Sequence, residues 1–532
     1  MSLLELSDLT VAFGRAKPVV DRVSLTVEPG ECVAIVGESG SGKSITARAL
    51  LGLVGNDATV TTSGFRLLEQ DVSSFNSRQW RALRGREVAM VHQDAMVSLD
   101  PLRTVGAEIA EAVRMHDPSV HGRSMSSLVH ERVIQLLDAV GVPEPERRSR
   151  QYPHQLSGGL RQRALIASAL AGNPRLLIAD EPTTALDVVV QKQILDLLGA
   201  VREDGRSLVL ISHDLAVVAQ LADRVMVMRD GRVVESGLTR EILDSPSAEY
   251  TKTLIASIPR PRPPRSFASG KSVLSAREVR KTFADGEKEN IAIDVVSLTV
   301  TAGETLGIVG ESGSGKSTLA KVLLGLVSTD SGVVELNGMP WSTMPENRKR
   351  KNRNEIQLIH QNPYGAFDPR LSVERLIGEG LRDLRGHARR ERTVDLLAQV
   401  GLDRIHLHRK VSQLSGGQRQ RVSIARALAP SPNILVCDEP VSALDVSVQA
   451  QVLDLLDKLQ EETGVAMIFI SHDLGVVRRV SDRVLVLRNG VVVEEGPTED
   501  VLEFPNHPYT RQLIDAVPTL EKKWSIKESG AR

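Results

Sequence analysis

Two segments of identical sequence, GESGSGKS at residues 37–44 and again at 310–317, have the G-x-x-x-x-G-K-[ST] spacing of a phosphate-binding loop. Glycines let backbone N–H groups turn toward an anion, and a helix starting at the Lys-Ser pair offers its N-terminus to the same charge. Gly37, Ser39, Gly40, Gly42, Lys43 and Ser44 in the first copy are therefore candidate nucleotide-binding residues, with Gly310, Ser312, Gly313, Gly315, Lys316 and Ser317 in the second. Lys43 and Lys316 would reach the β- and γ-phosphates, and Ser44 and Ser317 would ligate Mg²⁺.

Downstream, the runs LLIADE and ILVCDE each end an apolar stretch on two acids. Beside a phosphate loop, Asp180 and Asp438 would hold Mg²⁺ through water, while Glu181 and Glu439 would orient or deprotonate an attacking water. His213 and His472 follow a further apolar run and would contact the γ-phosphate. LSGG occurs before a helical pattern in each half, so Ser157, Gly158 and Gly159, and likewise Ser415, Gly416 and Gly417, present a hydroxyl and free N–H groups at a helix start. That is a second anion site, which one phosphate loop does not need within its own domain.

These motifs recur in one order, so the chain reads as a tandem duplication. The interval from Ser157 to Glu181 equals that from Ser415 to Glu439, whereas the first half is about 15 residues longer between its glycine-rich loop and its LSGG. CVAIVG and TLGIVG run straight into the loops, and ITARALLGLV and TLAKVLLGLV follow as helices. LLIAD, LVLIS and VMVM, with ILVCD, MIFIS and VLVL, have the continuous apolar character of buried parallel strands. SSLVHERVIQLLDAVG and RTVDLLAQVG predict an inserted helical subdomain. The expected fold class is α/β: two P-loop domains, each with a mainly parallel core sheet, an antiparallel β subdomain and helices inserted. Expected boundaries are 1–258, a Pro/Arg/Ser-rich linker at 259–272, and 273–532.

Composition narrows the function. Among 532 residues, 66 Lys plus Arg meet 67 Asp plus Glu, a formal charge of −1. This excludes the basic bias of a protein held mainly on nucleic acid. Only 8 Phe, 4 Tyr and 3 Trp are present, too few for serial base stacking. The basic run NRKRKNR lacks interleaved aromatics and reads as a solvated face. Cys32 and Cys437 sit in apolar runs and supply neither a disulfide framework nor a four-thiolate metal site, which suits a reducing compartment. Glu5 and Asp8 interrupt what a signal peptide would keep apolar, and no run approaches the length of a membrane helix.

In motif set and order, the chain resembles ATP-binding cassette proteins carrying two nucleotide-binding domains in one polypeptide. The likeness covers nearly all of it. It implies an ATPase whose two sites form head to tail. Lys43, Ser44, Gln93, Asp180, Glu181 and His213 would face Ser415, Gly416 and Gly417, and Lys316, Ser317, Gln361, Asp438, Glu439 and His472 would face Ser157, Gly158 and Gly159. Gln93 in VHQD and Gln361 in IHQN match the glutamine that touches Mg²⁺ beside the helical subdomain. Asp187 and Asp445 match the loop crossing the domain interface, and Phe13 and Phe283 the aromatic against adenine. Neither half has lost a catalytic motif, so two hydrolytic sites are expected. They differ at Leu160, which lacks the hydrogen bond that the Gln418 side chain could donate.

VHQDAMVSLDPLRTVG, IHQNPYGAFDPRLSV and the tail FPNHPYTRQLIDAVP, echoed by SPSAEYTKTLIASIP, resemble the dipeptide/oligopeptide/nickel importer group. That resemblance implies peptide import powered by ATP, with two transmembrane permease subunits and an extracytoplasmic solute-binding protein as partners. It places the chain peripherally on the cytoplasmic face of a bacterial cell membrane, with no span of its own and no nucleic acid. Dipeptides, longer peptides, glutathione and nickel or other metal chelates all remain open as solutes. The cysteine cluster that often follows this tail is missing, so no iron–sulfur cluster is expected. The competing class is a soluble tandem cassette ATPase acting on ribosomes or DNA.

Overall fold

The computed structural model describes residues 2–55, 57–93, 98–117, 126–184, 186–261, 270–285, 288–442 and 444–519. Most of the expected linker, and the region after the tail motif where a cysteine cluster would fall, lie outside the described residues. The chain divides into two compact units, one built chiefly from residues before Ile258 and the other from those after it.

In the first unit the core is a six-stranded sheet in the order Arg232–Leu238, Arg224–Arg229, Cys32–Val36, Ser207–Ile211, Leu176–Asp180, Val88–Val91. All its pairings are parallel except that of the outermost strand Arg232–Leu238 with Arg224–Arg229. Central strands such as Cys32–Val36 and Leu176–Asp180 are buried at every residue, because both faces are covered, one of them by the antiparallel sheet together with the helix after the glycine-rich loop, and no polar side is left. The second unit repeats this order with Val491–Pro497, Arg483–Arg488, Thr305–Val309, Ala466–Ile470, Ile434–Asp438 and Ile356–Ile359. The apolar runs singled out in the sequence are these strands.

An antiparallel sheet accompanies each core. Leu4–Phe13 pairs with Val20–Val27, Ala58–Thr61 and Gly64–Leu67, and Ser272–Asp285 pairs with Lys288–Thr301 and Ser331–Leu336. Its alternating burial packs one face on the core, mainly through Leu and Val.

Between the glycine-rich loop and LSGG come the helices Val105–His116, Ser126–Ala139 and Pro145–Ser149 in the first unit, and Val373–Gly378 and Gly386–Gln399 in the second. Part of the first half's extra length is here, since its leading helix has 12 residues against 6. The basic run departs from the sequence expectation at one position. Most of it is exposed on the helix Glu346–Asn352, but Lys349 is buried, with its Nζ 5.8 Å from the centre of the Trp341 ring and donating to the Ser342 carbonyl at 3.3 Å. Its stem covers apolar surface while the ammonium finds an acceptor and a π face.

Candidate functional site

Each glycine-rich loop joins a buried strand, Cys32–Val36 or Thr305–Val309, to a helix, Lys43–Ala49 or Lys316–Leu323. Backbone approach dictates the glycines. Gly37 has φ +148°, and a Cβ there would lie 2.2 Å from the Met228 carbonyl oxygen; Gly310 has φ +152° and would meet that of Leu487 at 2.1 Å. Gly42 and Gly315, at φ +100° and +105°, precede the helices in a conformation costly for other residues. Ser39, Gly40, Ser312 and Gly313 form the exposed tips.

The loop lysines turn back on their own loops. Lys43 Nζ donates to the carbonyls of Gly37 and Glu38 at 2.7 and 2.8 Å, and Lys316 Nζ to those of Gly310 and Glu311, both at 2.7 Å. Both are buried. Burial pulls the Lys316 ammonium below its ordinary pKa, with the Glu439 charge opposing. Each lysine is thus a buried cation held on loop carbonyls, and an incoming phosphate would give it full negative charge in place of those dipoles.

The carboxylates stand at the ends of Leu176–Asp180 and Ile434–Asp438. Ser44 Oγ donates to Asp180 Oδ1 at 3.1 Å. Burial raises the Asp180 pKa, the Ser44 hydrogen bond pulls it back and the Glu181 charge adds to the rise; Asp438 is raised by burial and by Glu439.

Glu181 and Glu439 have left-handed backbones, φ +47° and +48°, a strained conformation for a non-glycine residue. Each is held there by its N–H, donating at 2.9 Å to Ile211 or Ile470 on the neighbouring strand. The twist aims both side chains at the same pair of partners. Gln93 Nε2 donates to Glu181 Oε2 at 2.7 Å, and Gln361 Nε2 to Glu439 Oε2 at 2.6 Å. His213 Nδ1 lies 3.4 Å from Glu181 Oε2, and His472 Nδ1 3.3 Å from Glu439 Oε1. Burial opposes ionisation of both glutamates, but the histidine hydrogen bonds and charges outweigh it, and both fall below the usual pKa. His472 responds inversely: burial pulls it down, yet Glu439 raises it overall.

Local capping fixes the histidines. Ser212 Oγ accepts from the Asp214 N–H, and Asp214 then caps the helix Leu215–Leu221 by accepting from Ala216 and Val217. Likewise Ser471 Oγ accepts from the Asp473 N–H, and Asp473 caps Leu474–Val480 by accepting from Val476.

Ser157 and Ser415 are the N-caps of Gly158–Leu170 and Gly416–Leu428. A Cβ on Gly159 would lie 2.3 Å from Val190, and one on Gly417 2.5 Å from Val448. The two caps differ. Gln418 Oε1 accepts from the Ser415 N–H at 3.1 Å, closing a capping box that Leu160 cannot form, a role the sequence expectation did not include.

Within each unit, therefore, the structure gathers loop lysine, strand-end Asp and Glu, Gln and His; of the loop serines, Ser44 bonds Asp180, whereas Ser317 is exposed in the first turn of its helix. The aromatics diverge. Phe283 is 43% exposed with Lys281 Nζ 5.5 Å from its centroid, whereas Phe13 is half-buried against the core.

Sequence reasoning missed one connection. Tyr250 and Tyr509, from helices Glu249–Ala256 and Pro508–Ala516, accept hydrogen bonds from the Glu38 and Glu311 N–H groups of the glycine-rich loops at 3.1 and 3.0 Å. The matched EYTKTLIASIP and PYTRQLIDAVP were the available signal.

The same residues mark what the chain is similar to. A family model described as ABC transporter matches residues 20–184 and again 293–442. The chain belongs to the ABC transporter family. Its two cassettes are accordingly ATP-binding ATPase domains. A second model, the C-terminal region of oligopeptide/dipeptide transporters, matches residues 234–283 and 493–532. The cassettes are 42% identical to the peptidoglycan transport ATP-binding protein YejF of Agrobacterium fabrum, over 98% of this chain and 97% of the relative. They are 41% identical to the glutathione import ATP-binding protein GsiA of Salmonella choleraesuis, over 98% and 90%. In fold, they resemble an archaeal ribosome recycling factor solved with a ribosomal stalk protein, at 23% identity, a TM-score of 0.60, and 90% and 87% coverage. Among the described residues no helix is long and apolar enough to cross a membrane.

Proposed function

We propose that this chain is the ATP-hydrolysing subunit of a membrane importer for peptides or peptide-like solutes. The observation that carries the reading is the oligopeptide/dipeptide-type C-terminal region following each cassette, at residues 234–283 and 493–532. Relatives named for peptidoglycan transport and glutathione import support it. The partners are two permease subunits and an extracytoplasmic binding protein, and the site of action is the cytoplasmic membrane face. Domain limits of 1–258 and 273–532 around a 259–272 linker accompany the proposal.

Roles follow from the geometry of each unit. Lys43 and Lys316 leave their carbonyls for the β- and γ-phosphates, exchanging backbone dipoles for full charges. Ser44, Asp180 and Gln93, and Ser317, Asp438 and Gln361, would hold Mg²⁺. The donors fit: they are hard oxygens, and the burial that raises both aspartates is a charge deficit a divalent cation relieves. When bound, Mg²⁺ supplies neutralisation of phosphate charge. Glu181 and Glu439, kept ionised by His213 and His472, orient the attacking water and accept its proton, while the histidines reach the γ-phosphate.

Ser157, Gly158 and Gly159, and Ser415, Gly416 and Gly417, serve the nucleotide of the opposite cassette. ATP then closes the cassettes on each other and draws the helical subdomains, with docked permeases, together; hydrolysis and phosphate release reopen them.

Co-purification tests this. Recovery from detergent-solubilised membranes with two multi-span subunits supports import, and co-sedimentation with ribosomes without membrane association overturns it in favour of a soluble tandem ATPase.

A further inference from the structure

In both cassettes the tail helix touches the glycine-rich loop through one hydroxyl. The Glu38 N–H that donates to Tyr250 belongs to the same peptide unit as the Gly37 carbonyl, which accepts from Lys43 at 2.7 Å. The Glu311 N–H and Gly310 carbonyl are held in the same way by Tyr509 and Lys316, at 3.0 and 2.7 Å. This peptide unit is pinned at both edges.

The adjacent strand end closes the third side. Met228 and Leu487 lie with their carbonyls against Gly37 and Gly310, and the next residues, Arg229 and Arg488, place their guanidinium carbons 4.9 and 4.7 Å from the centres of the Tyr250 and Tyr509 rings.

The tail helices are fastened at their starts as well. Glu235, on the outermost core strand, accepts from the N–H groups of Ser247 and Ala248, and Glu494 from those of Asn506 and His507. Burial opposes the ionisation of Glu235, but the nearby Thr251 hydroxyl and the hydrogen bonds from Ser247 and Ala248 outweigh it and hold the carboxyl down at about 2. Glu494 is held low by the corresponding balance. Tyr509 is only 1% exposed, packed among Val309, Leu474, Val477 and Leu513. Each tail is a strut from the sheet edge to the phosphate loop.

We propose that Tyr250 and Tyr509 are positioning residues for ATP: their hydroxyls keep the Gly37–Glu38 and Gly310–Glu311 peptides in the orientation that binds nucleotide. Their importance rises during binding. When the lysine moves to the phosphates it releases the carbonyl edge, and the tyrosine hydrogen bond still holds the N–H edge. Without the hydroxyl the loop must be ordered at the expense of nucleotide binding. The hydroxyl touches the loop backbone and not the strand-end carboxylates, so turnover of bound ATP is unaffected. The inference concerns ATP binding alone and stands whatever the transported solute is.

The test uses the full chain with Mg-ATP as the probe. Tyr250→Phe and Tyr509→Phe keep ring, packing and arginine stacking and remove one neutral hydrogen bond each. Each raises Kd and KM for ATP at its own site by about 3- to 10-fold, with kcat within about twofold of the parent. Amide exchange at Glu38 or Glu311 becomes faster in the matching variant. If either Phe variant fails to fold, Glu235→Ala or Glu494→Ala, which frees the start of the same helix, raises KM in the same direction. Unchanged Kd and KM overturn the proposal even if thermal stability falls, because the tail would then be packing only. So does a loss of kcat at unchanged KM, which would assign the hydroxyl to chemistry.

Discussion

The two cassettes repeat their reacting groups closely and their supports loosely. Gln-to-Glu distances of 2.7 and 2.6 Å, His-to-Glu distances of 3.4 and 3.3 Å, and the same left-handed φ at Glu181 and Glu439 recur in both. Around them the halves diverge: a single N-cap bond at Ser157 against a capping box at Ser415, a half-buried Phe13 against an exposed Phe283, and a leading helix twice as long in the first insertion. The difference teaches which geometry the chemistry needs. A proton acceptor misplaced by an ångström loses its function, whereas a helix start tolerates one hydrogen bond fewer at a cost of tenths of a kcal/mol, on the order of the smallest capping effects.

The largest test of that equivalence removes the carboxylates. With both Glu181→Gln and Glu439→Gln, steady-state ATPase activity falls by about 10²-fold or more. Either change alone removes at least about half of it if the two sites share the turnover. A single variant with parental activity breaks the comparison.

The aromatic pair comes next. Phe283→Ala weakens ATP binding by about 5- to 10-fold with little change in the unfolding transition, as expected for a ring that stacks on adenine. Phe13→Ala also lowers stability, by roughly 1–3 kcal/mol, because its ring packs against the core. Equal stability losses from the two would erase this distinction.

Exchanging the caps sharpens the third contrast. Gln418→Leu destabilises the second half by about 0.5 kcal/mol, and Leu160→Gln stabilises the first by a similar amount, both read from urea unfolding. The smallest expected effect is no reaction. Burial pushes the Cys437 thiol up to about 12, so the native protein is not labelled there by a thiol reagent at pH 8, although it is labelled after denaturation.

Much of this was legible in the residues. GESGSGKS, the strand-end acids and LSGG are local patterns whose chemistry depends on neighbours in the chain, and the doubly buried strands declare themselves by apolar runs without polar alternation, such as CVAIV and LLIA. The burial of Lys349 was not legible, because charge runs look alike in sequence whether or not a tryptophan lies beneath one member. The capping role of Gln418 was not legible for a related reason: an amide both donates and accepts, and only the helix geometry shows that its Oε1 takes the Ser415 N–H.

By itself, then, the sequence determined the duplication, the phosphate-binding chemistry and the α/β class, since each is written in contiguous residues with a fixed period. Only the tertiary structure decided that Gln93 meets Glu181 across 88 positions, that Tyr250 reaches Glu38 across 212, and that the tail belongs to the phosphate loop at all. Such pairings depend on strand order and helix docking. Those follow from how buried surfaces fit together, and no local run of residues records them.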